Sequence, residues 1–148
     1  MSQSGIELDT SLGYLLKEAS SALRSAMEAV LRPLGMTITH YSCLELLAQR
    51  PGLSNSELAR GAFVTRQSMN VLLQALERDG FVSRPDQAPV GKALPTQLTP
   101  LGREHLAQAT AAVRTVEVRM LSDLTADEQQ AALSILRSMI RSLRDADA

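Results

Sequence analysis

Residues Leu53 to Arg84, LSNSELARGAFVTRQSMNVLLQALERDGFVSR, read as two short helices, a tight turn and a strand. Projected at 100° per residue with Arg66 as zero, Met69, Leu72, Leu73 and Leu76 fall within one arc of about 100°. Arg66, Gln67, Asn70, Gln74 and Arg78 fall on the other side. The solvated face of a soluble helix usually carries Glu and Lys, which favour helix and solubility. Arg, Gln and Asn near a helix N-terminus are instead the side chains that pair in two-pronged fashion with guanine and adenine edges in a major groove. An ordinary amphipathic helix would show the same apolar arc, so the neighbouring segments decide.

Ser54 and Glu57 form an S-x-x-E capping box, which predicts a helix from Asn55 to about Gly61 with Leu58 and Ala59 buried. Gly61-Ala62-Phe63-Val64 makes a turn, Thr65 caps the next helix, and Asp79-Gly80 ends it. A helix of about seven residues, a turn of three to four and a longer helix with a polar face is helix-turn-helix spacing. Phe81 to Arg84 and Ala93 to Leu98 then alternate like the strands of a short hairpin, joined by the polar loop Pro85 to Lys92. Pro95 confines the return strand to an edge, which suits a two-stranded wing.

Outside this region the chain reads as helix. Leu12, Leu15, Leu16, Ala19, Leu23, Met27 and Val30 mark a first helix over residues 8 to 31, about 24 residues or some 36 Å long, ending at Pro33-Leu34-Gly35. A second runs from about Thr39 to Gln49 with Tyr41, Leu44 and Leu47 inward, and stops at Arg50-Pro51-Gly52. Thr99-Pro100 opens a fifth helix marked by Leu101, His105, Ala109, Val113, Val116 and Met120. Thr125 and Glu128 form a second capping box before a last helix whose Leu133, Leu136, Ile140 and Leu143 make a packing seam. The two chain ends are thus helices with apolar stripes and no core of their own, as in a dimerisation layer.

Composition agrees with a helical domain: 45% of the 148 residues are hydrophobic but only 3% aromatic, so the core must be Leu, Ala, Val and Met. No apolar run approaches the ~18 residues of a membrane span, and MSQSGIELDT lacks the features of a signal peptide, so a cytoplasmic protein with no membrane partner is expected. The net charge of -1 does not advertise a nucleic-acid ligand. Its distribution does so weakly: residues 50 to 92 carry six basic and four acidic groups, while residues 1 to 49 carry three and five and residues 93 to 148 carry six and seven.

The single Cys43 excludes an intramolecular disulfide or a Cys-rich zinc site. In the apolar setting YSCLELL it reads as a buried thiol, with an oxidant sensor as the competing reading. Phosphate loops, zinc-protease and deaminase motifs and nucleophile elbows are lacking, so neither enzymatic activity nor a cofactor is expected.

Laid out in order, the chain resembles the MarR family of bacterial transcription regulators over nearly all of its length. The segments that carry the resemblance are PGLSNSELARGAFVTRQSMNVLLQALERDGFVSR and LTPLGREHL. The resemblance implies a mainly α fold with a small β-hairpin wing: one domain over residues 1 to 148, with a winged helix-turn-helix lobe at 36–98. The helical dimerisation layer would comprise residues 8–35 and 99–146. It implies a homodimer bound to double-stranded DNA at a pseudo-palindrome with half-sites about one helical turn, ~34 Å, apart.

Carried over by position, Arg66, Gln67 and Asn70 would face base edges, with Ser54, Ser56, Thr65 and Ser68 toward phosphates and Arg84 and Lys92 flanking the wing; Gln74 is a further expected DNA contact. Where members commonly have Asp-x-Arg in the wing, this chain has Val90-Gly91-Lys92. A lysine lacks the planar fork that suits a narrow minor groove, so a mobile wing with a weaker contact is expected. Many members bind small aromatic or phenolic acids between dimerisation layer and lobe. The lining implied here is Tyr14, Lys17, Arg24, His40 and Tyr41, two phenols to stack and two cations to meet a carboxylate. The chief alternative is a winged-helix module that binds protein rather than DNA; a regulator sensing oxidant through Cys43 is the other.

Overall fold

A computed structural model of the chain describes residues 5–84 and 96–145. Six helices and one hairpin follow in order: α1 (Leu12–Leu31), α2 (Ile38–Gln49), α3 (Asn55–Gly61), α4 (Arg66–Arg78), β1 (Val82–Ser83), β2 (Gln97–Leu98), α5 (Pro100–Met120) and α6 (Ala126–Asp145). The two strands pair antiparallel, Val82 opposite Leu98 and Ser83 opposite Gln97. The expected mainly helical fold with a small hairpin is present. The segment Val90-Gly91-Lys92 and Pro95 lie outside the described residues.

The local punctuation sets most boundaries. Ser54 accepts from the Glu57 amide at 3.2 Å while the Glu57 carboxylate accepts from the Ser54 amide at 2.9 Å, so both halves of the capping box form. Thr125 and Glu128 repeat the arrangement at 3.1 and 2.8 Å. Thr65 caps α4 through the Ser68 amide at 3.0 Å, and Gly80, at φ 84°, supplies the left-handed residue that lets the chain leave α4.

Three boundaries or faces differ from the sequence reading. The first helix is 20 residues rather than about 24, because Ser11 accepts from the Tyr14 amide and starts α1 afresh, leaving Leu8–Thr10 as a separate 3-10 turn. α2 begins at Ile38 because Thr37 takes the His40 amide as cap. On α5 the buried residues are Gly102, Leu106, Ala109 and Val116, whereas Leu101 and Met120 are exposed. The reason is at the helix start. A Cβ on Gly102 would collide with the Phe81 carbonyl oxygen, so the glycine, not Leu101, faces inward there. Thr99 fastens the same junction, its hydroxyl donating to the Gly80 carbonyl at 2.6 Å and its amide to the Phe81 carbonyl at 3.1 Å.

The core gathers around α4. Met69, Leu73 and Leu76 are buried against Leu44 and Leu47 of α2, Leu58 and Ala59 of α3, Val82 and Leu98 of the hairpin and Leu106 of α5. By contrast α6 has no buried residue: Leu133, Leu136, Ile140 and Leu143 all stand exposed, as do Leu12, Leu15 and Leu16 of α1. No helix among the described residues is long and apolar enough to cross a membrane.

Candidate nucleic-acid interface and effector cleft

α4 presents its polar side outward because its apolar side is fully occupied by the core. Arg66, Gln67, Ser68, Asn70, Gln74 and Arg78 are all exposed. Five of the expected DNA-facing residues are already engaged within the lobe. Asn55 on α3 donates its side-chain amide to the Asn70 carbonyl oxygen at 3.1 Å, bracing the two helices against each other. The Thr65 hydroxyl donates to the Ser68 hydroxyl at 2.9 Å. Ser54 is the cap of α3, and Ser56 is half-buried beside it. At the wing base the Arg84 amide donates to Glu77 at 3.3 Å and its guanidinium lies 3.7 Å from the same carboxylate, which holds Arg84 close to the C-terminal turn of α4. Lys92 lies outside the described residues.

Sequence reasoning passed over two exposed apolar residues in this lobe. Phe63, in the turn between α3 and α4, has φ 59° and is 85% exposed; a left-handed non-glycine residue leaves no periodic signal. Val71 is 62% exposed among the polar residues of α4.

Among the described residues, the five expected around an effector do not line one of the depressions together. Tyr14 and Lys17 are exposed on α1. Arg24 pairs with Glu28 at 3.2 Å and borders a separate depression with Arg32 and Met36. Tyr41 donates to Glu45 at 2.8 Å; burial, helped by that carboxylate, pushes its phenol up to about 12. His40 instead joins an aromatic cluster. His105, which the sequence left without a partner, stacks on Phe81 with ring centroids 4.4 Å apart and planes 7° from parallel. His40 lies 5.6 Å from His105 and 5.9 Å from Phe81. Burial, then the neighbouring His105, lowers the pKa of His40.

A more coherent cleft lies between α2 and α5. Ala48, Leu98, Arg103, Leu106, Ala107, Thr110, Ala111 and Arg114 line an open groove of about 420 Å³, within the size range of small-molecule sites. Arg103, Ala107, Thr110, Ala111 and Arg114 follow each other at helical spacing, so small residues make the floor and guanidinium groups the two ends. That spacing was legible, but without α2 opposite it looks like an ordinary solvated face. Thr110 donates to Glu45 at 3.1 Å, and Gln49 donates to the same carboxylate at 2.6 Å. Burial works to raise the Glu45 pKa, but the hydrogen bonds from Gln49, Tyr41 and Thr110 outweigh it and hold the group below the usual carboxylate range. Glu45 is therefore a fixed negative charge behind the cleft, tying α2 to α5.

Cys43 is fully buried, and that burial pushes its thiol up to about 12. Neither the thiolate nor the access that an oxidant sensor requires is present.

Comparison with known proteins gives the family. A family model described as MarR family matches residues 34–93. The HTH-type transcriptional repressor Rv2887 of Mycobacterium tuberculosis is 45% identical over 126 residues, covering 85% of this chain and 91% of that protein. The crystal structure of Rv2887 in complex with DNA superposes with a TM-score of 0.74 at 43% identity, covering 88% of this chain and 98% of the other. Its complex with salicylic acid gives 0.73 at 44% identity, covering 88% and 97%. On the strength of the relative's identity and span, the chain belongs to the MarR family of winged helix-turn-helix transcription regulators.

Proposed function

We propose that the protein is a homodimeric repressor that holds a pseudo-palindromic operator and is released from it by a small aromatic acid. The observation that carries this reading is the outer face of α4. Arg66, Gln67 and Gln74 are exposed, and no side-chain hydrogen bond or ion pair engages them among the described residues. Such donors and acceptors suit base edges, while Ser54, Ser56, Thr65 and Ser68 at the starts of α3 and α4, with Arg84 and Lys92 at the wing, suit phosphates. The lobe comprises residues 36–98. Residues 8–35 and 99–146 form the layer through which two copies meet, the exposed stripes of α1 and α6 covering one another.

For the effector we favour the α2–α5 cleft, with Tyr14, Lys17, Arg24, His40 and Tyr41 as the alternative lining. An aromatic ring fits over Ala107, Ala111 and Leu106, with its carboxylate toward Arg103 or Arg114 and away from the fixed charge of Glu45. The cleft joins Leu98 of the wing base to the long helix α5, so a ligand that prefers one separation of these elements shifts the spacing of the two lobes. The complexes of Rv2887 with DNA and with salicylic acid support this pairing of activities.

The test is a binding assay on DNA flanking the protein's own gene, titrated with salicylic acid. Release at millimolar acid is expected, with Arg114→Ala shifting the half-release concentration upward by about tenfold, roughly one charged hydrogen bond. Undiminished DNA binding throughout the titration would remove the effector part. Failure to bind DNA at all would favour a protein-binding winged-helix module.

A further inference from the structure

We propose that Val71 is a specificity residue, its isopropyl group reading the 5-methyl of a thymine in the major groove between the glutamines Gln67 and Gln74. This rests on the reading of α4 as the DNA-facing helix. With Arg66 at zero and about 100° per residue, the inward residues Met69, Leu72, Leu73 and Leu76 centre near ~290°, so the helix points outward near ~110°. Gln67 and Arg78 lie within about 10° of that direction, and Gln74 and Val71 within about 30°. Asn70 is about 70° away, on the side of α3, where the Asn55 amide holds its carbonyl oxygen. Arg66 is further still, at the edge of the face. The centre of the outward surface is therefore the stripe Gln67, Val71, Gln74 and Arg78, at i, i+4, i+7 and i+11, not the Arg66-Gln67-Asn70 set.

The chemistry of that stripe is self-consistent. Glutamine pairs with the N6 and N7 of adenine, and a small branched apolar side chain beside it meets the feature that marks thymine in the same groove, its C5 methyl. Val71 is 62% exposed and buries little in the free lobe. A β-branched residue also gains nothing as a helix former there, since alanine would serve the helix better. Its contribution is available to a ligand, and Gln67 and Gln74 on either side direct it to A·T steps.

The experiment uses the full-length protein and a duplex it selects from a random-sequence pool. Each thymine of a half-site is replaced in turn by deoxyuridine, which deletes only the methyl group, and affinity is read by fluorescence anisotropy. At one position per half-site the wild type should weaken by about fourfold, the value of one buried methyl-sized group. Val71→Ala, a helix-favouring change on an exposed face that alters both half-sites of a homodimer, should bind the thymine duplex about as weakly as wild type binds the duplex with that thymine replaced in both half-sites, and should no longer distinguish thymine from uracil there. Circular dichroism of the variant confirms its fold. If wild type ignores every thymine methyl, or if Val71→Ala keeps the full discrimination, the proposal fails while the DNA-binding reading stands. If wild type selects no duplex, both fall together.

Discussion

α4 and α6 are both strongly amphipathic, yet α4 buries Met69, Leu73 and Leu76 completely and α6 buries nothing. An apolar stripe is a demand for cover, and among the described residues the demand of α4 is met while that of α6 is not. Around α4 the chain supplies Leu44, Leu58, Val82 and Leu98. Around α6 and the first turns of α1 the described residues supply no comparable cover, although Leu133, Leu136 and Ile140 lie in a seam like that of any packed helix. The difference separates two kinds of stability: that of the lobe belongs to the single chain, whereas the proposed homodimer would leave the seam to be stabilised by a second copy.

The sharpest way to break the comparison is to charge the seam. Leu136→Asp with Ile140→Asp should leave a folded lobe by circular dichroism but shift the protein to monomer in sedimentation, and operator affinity should fall by about 10²- to 10⁴-fold as two linked lobes become one. A dimer that survives both charges would place the interface elsewhere. Next in size is the converse change on α4. Leu73→Ala should lower folding stability by about 2–5 kcal/mol in urea denaturation, the range for a large-to-small change in a packed core. In the same variant, dimerisation of the remaining folded protein should be unchanged.

The smallest effect sharpens the view of the hinge between lobe and long helix, where His40, Phe81 and His105 meet. The folded-state pKa of His40 lies below its ordinary value of 6.5, because burial and then His105 disfavour the imidazolium, while Asp79 works the other way. The unfolded chain therefore binds more protons than the folded one below that pH. His40 contributes its full share of stability above about 6.5, and that share declines as pH falls toward the folded-state pKa. Thermal melts should show stability dropping on acidification through this window, and His40→Gln should flatten the drop. A profile identical in the variant would mean that other groups carry the acid sensitivity.

The features readable from the chain alone are those that depend on neighbours a few residues away. Ser54 with Glu57, Thr125 with Glu128, and Thr65 before Arg66 each state where a helix starts, and each forms as read. The apolar arc of α4 was equally legible, because Met69, Leu73 and Leu76 share one helix. What escaped depends on contacts between distant segments. His40 and His105 look isolated until α2 and α5 bring them together, and Gly102 turns the face of α5 through its approach to the Phe81 carbonyl. Ser11 shortened α1 by a local cap that competes with a continuous apolar pattern. The cleft floor of Ala107, Thr110 and Ala111 carries no strong chemical signature, and it becomes a site only because α2 stands opposite with Glu45 fixed behind it.

The measurement closest to the central claim is the salt dependence of operator binding by the wild-type protein. If α4 and its flanking serines and arginines sit on DNA, the logarithm of the association constant should fall linearly and steeply with the logarithm of salt concentration. Its slope should reflect several displaced counterions, about 0.9 per phosphate contacted. A flat response between about 50 and 200 mM salt would contradict the account and leave the outer face of α4 to a different partner.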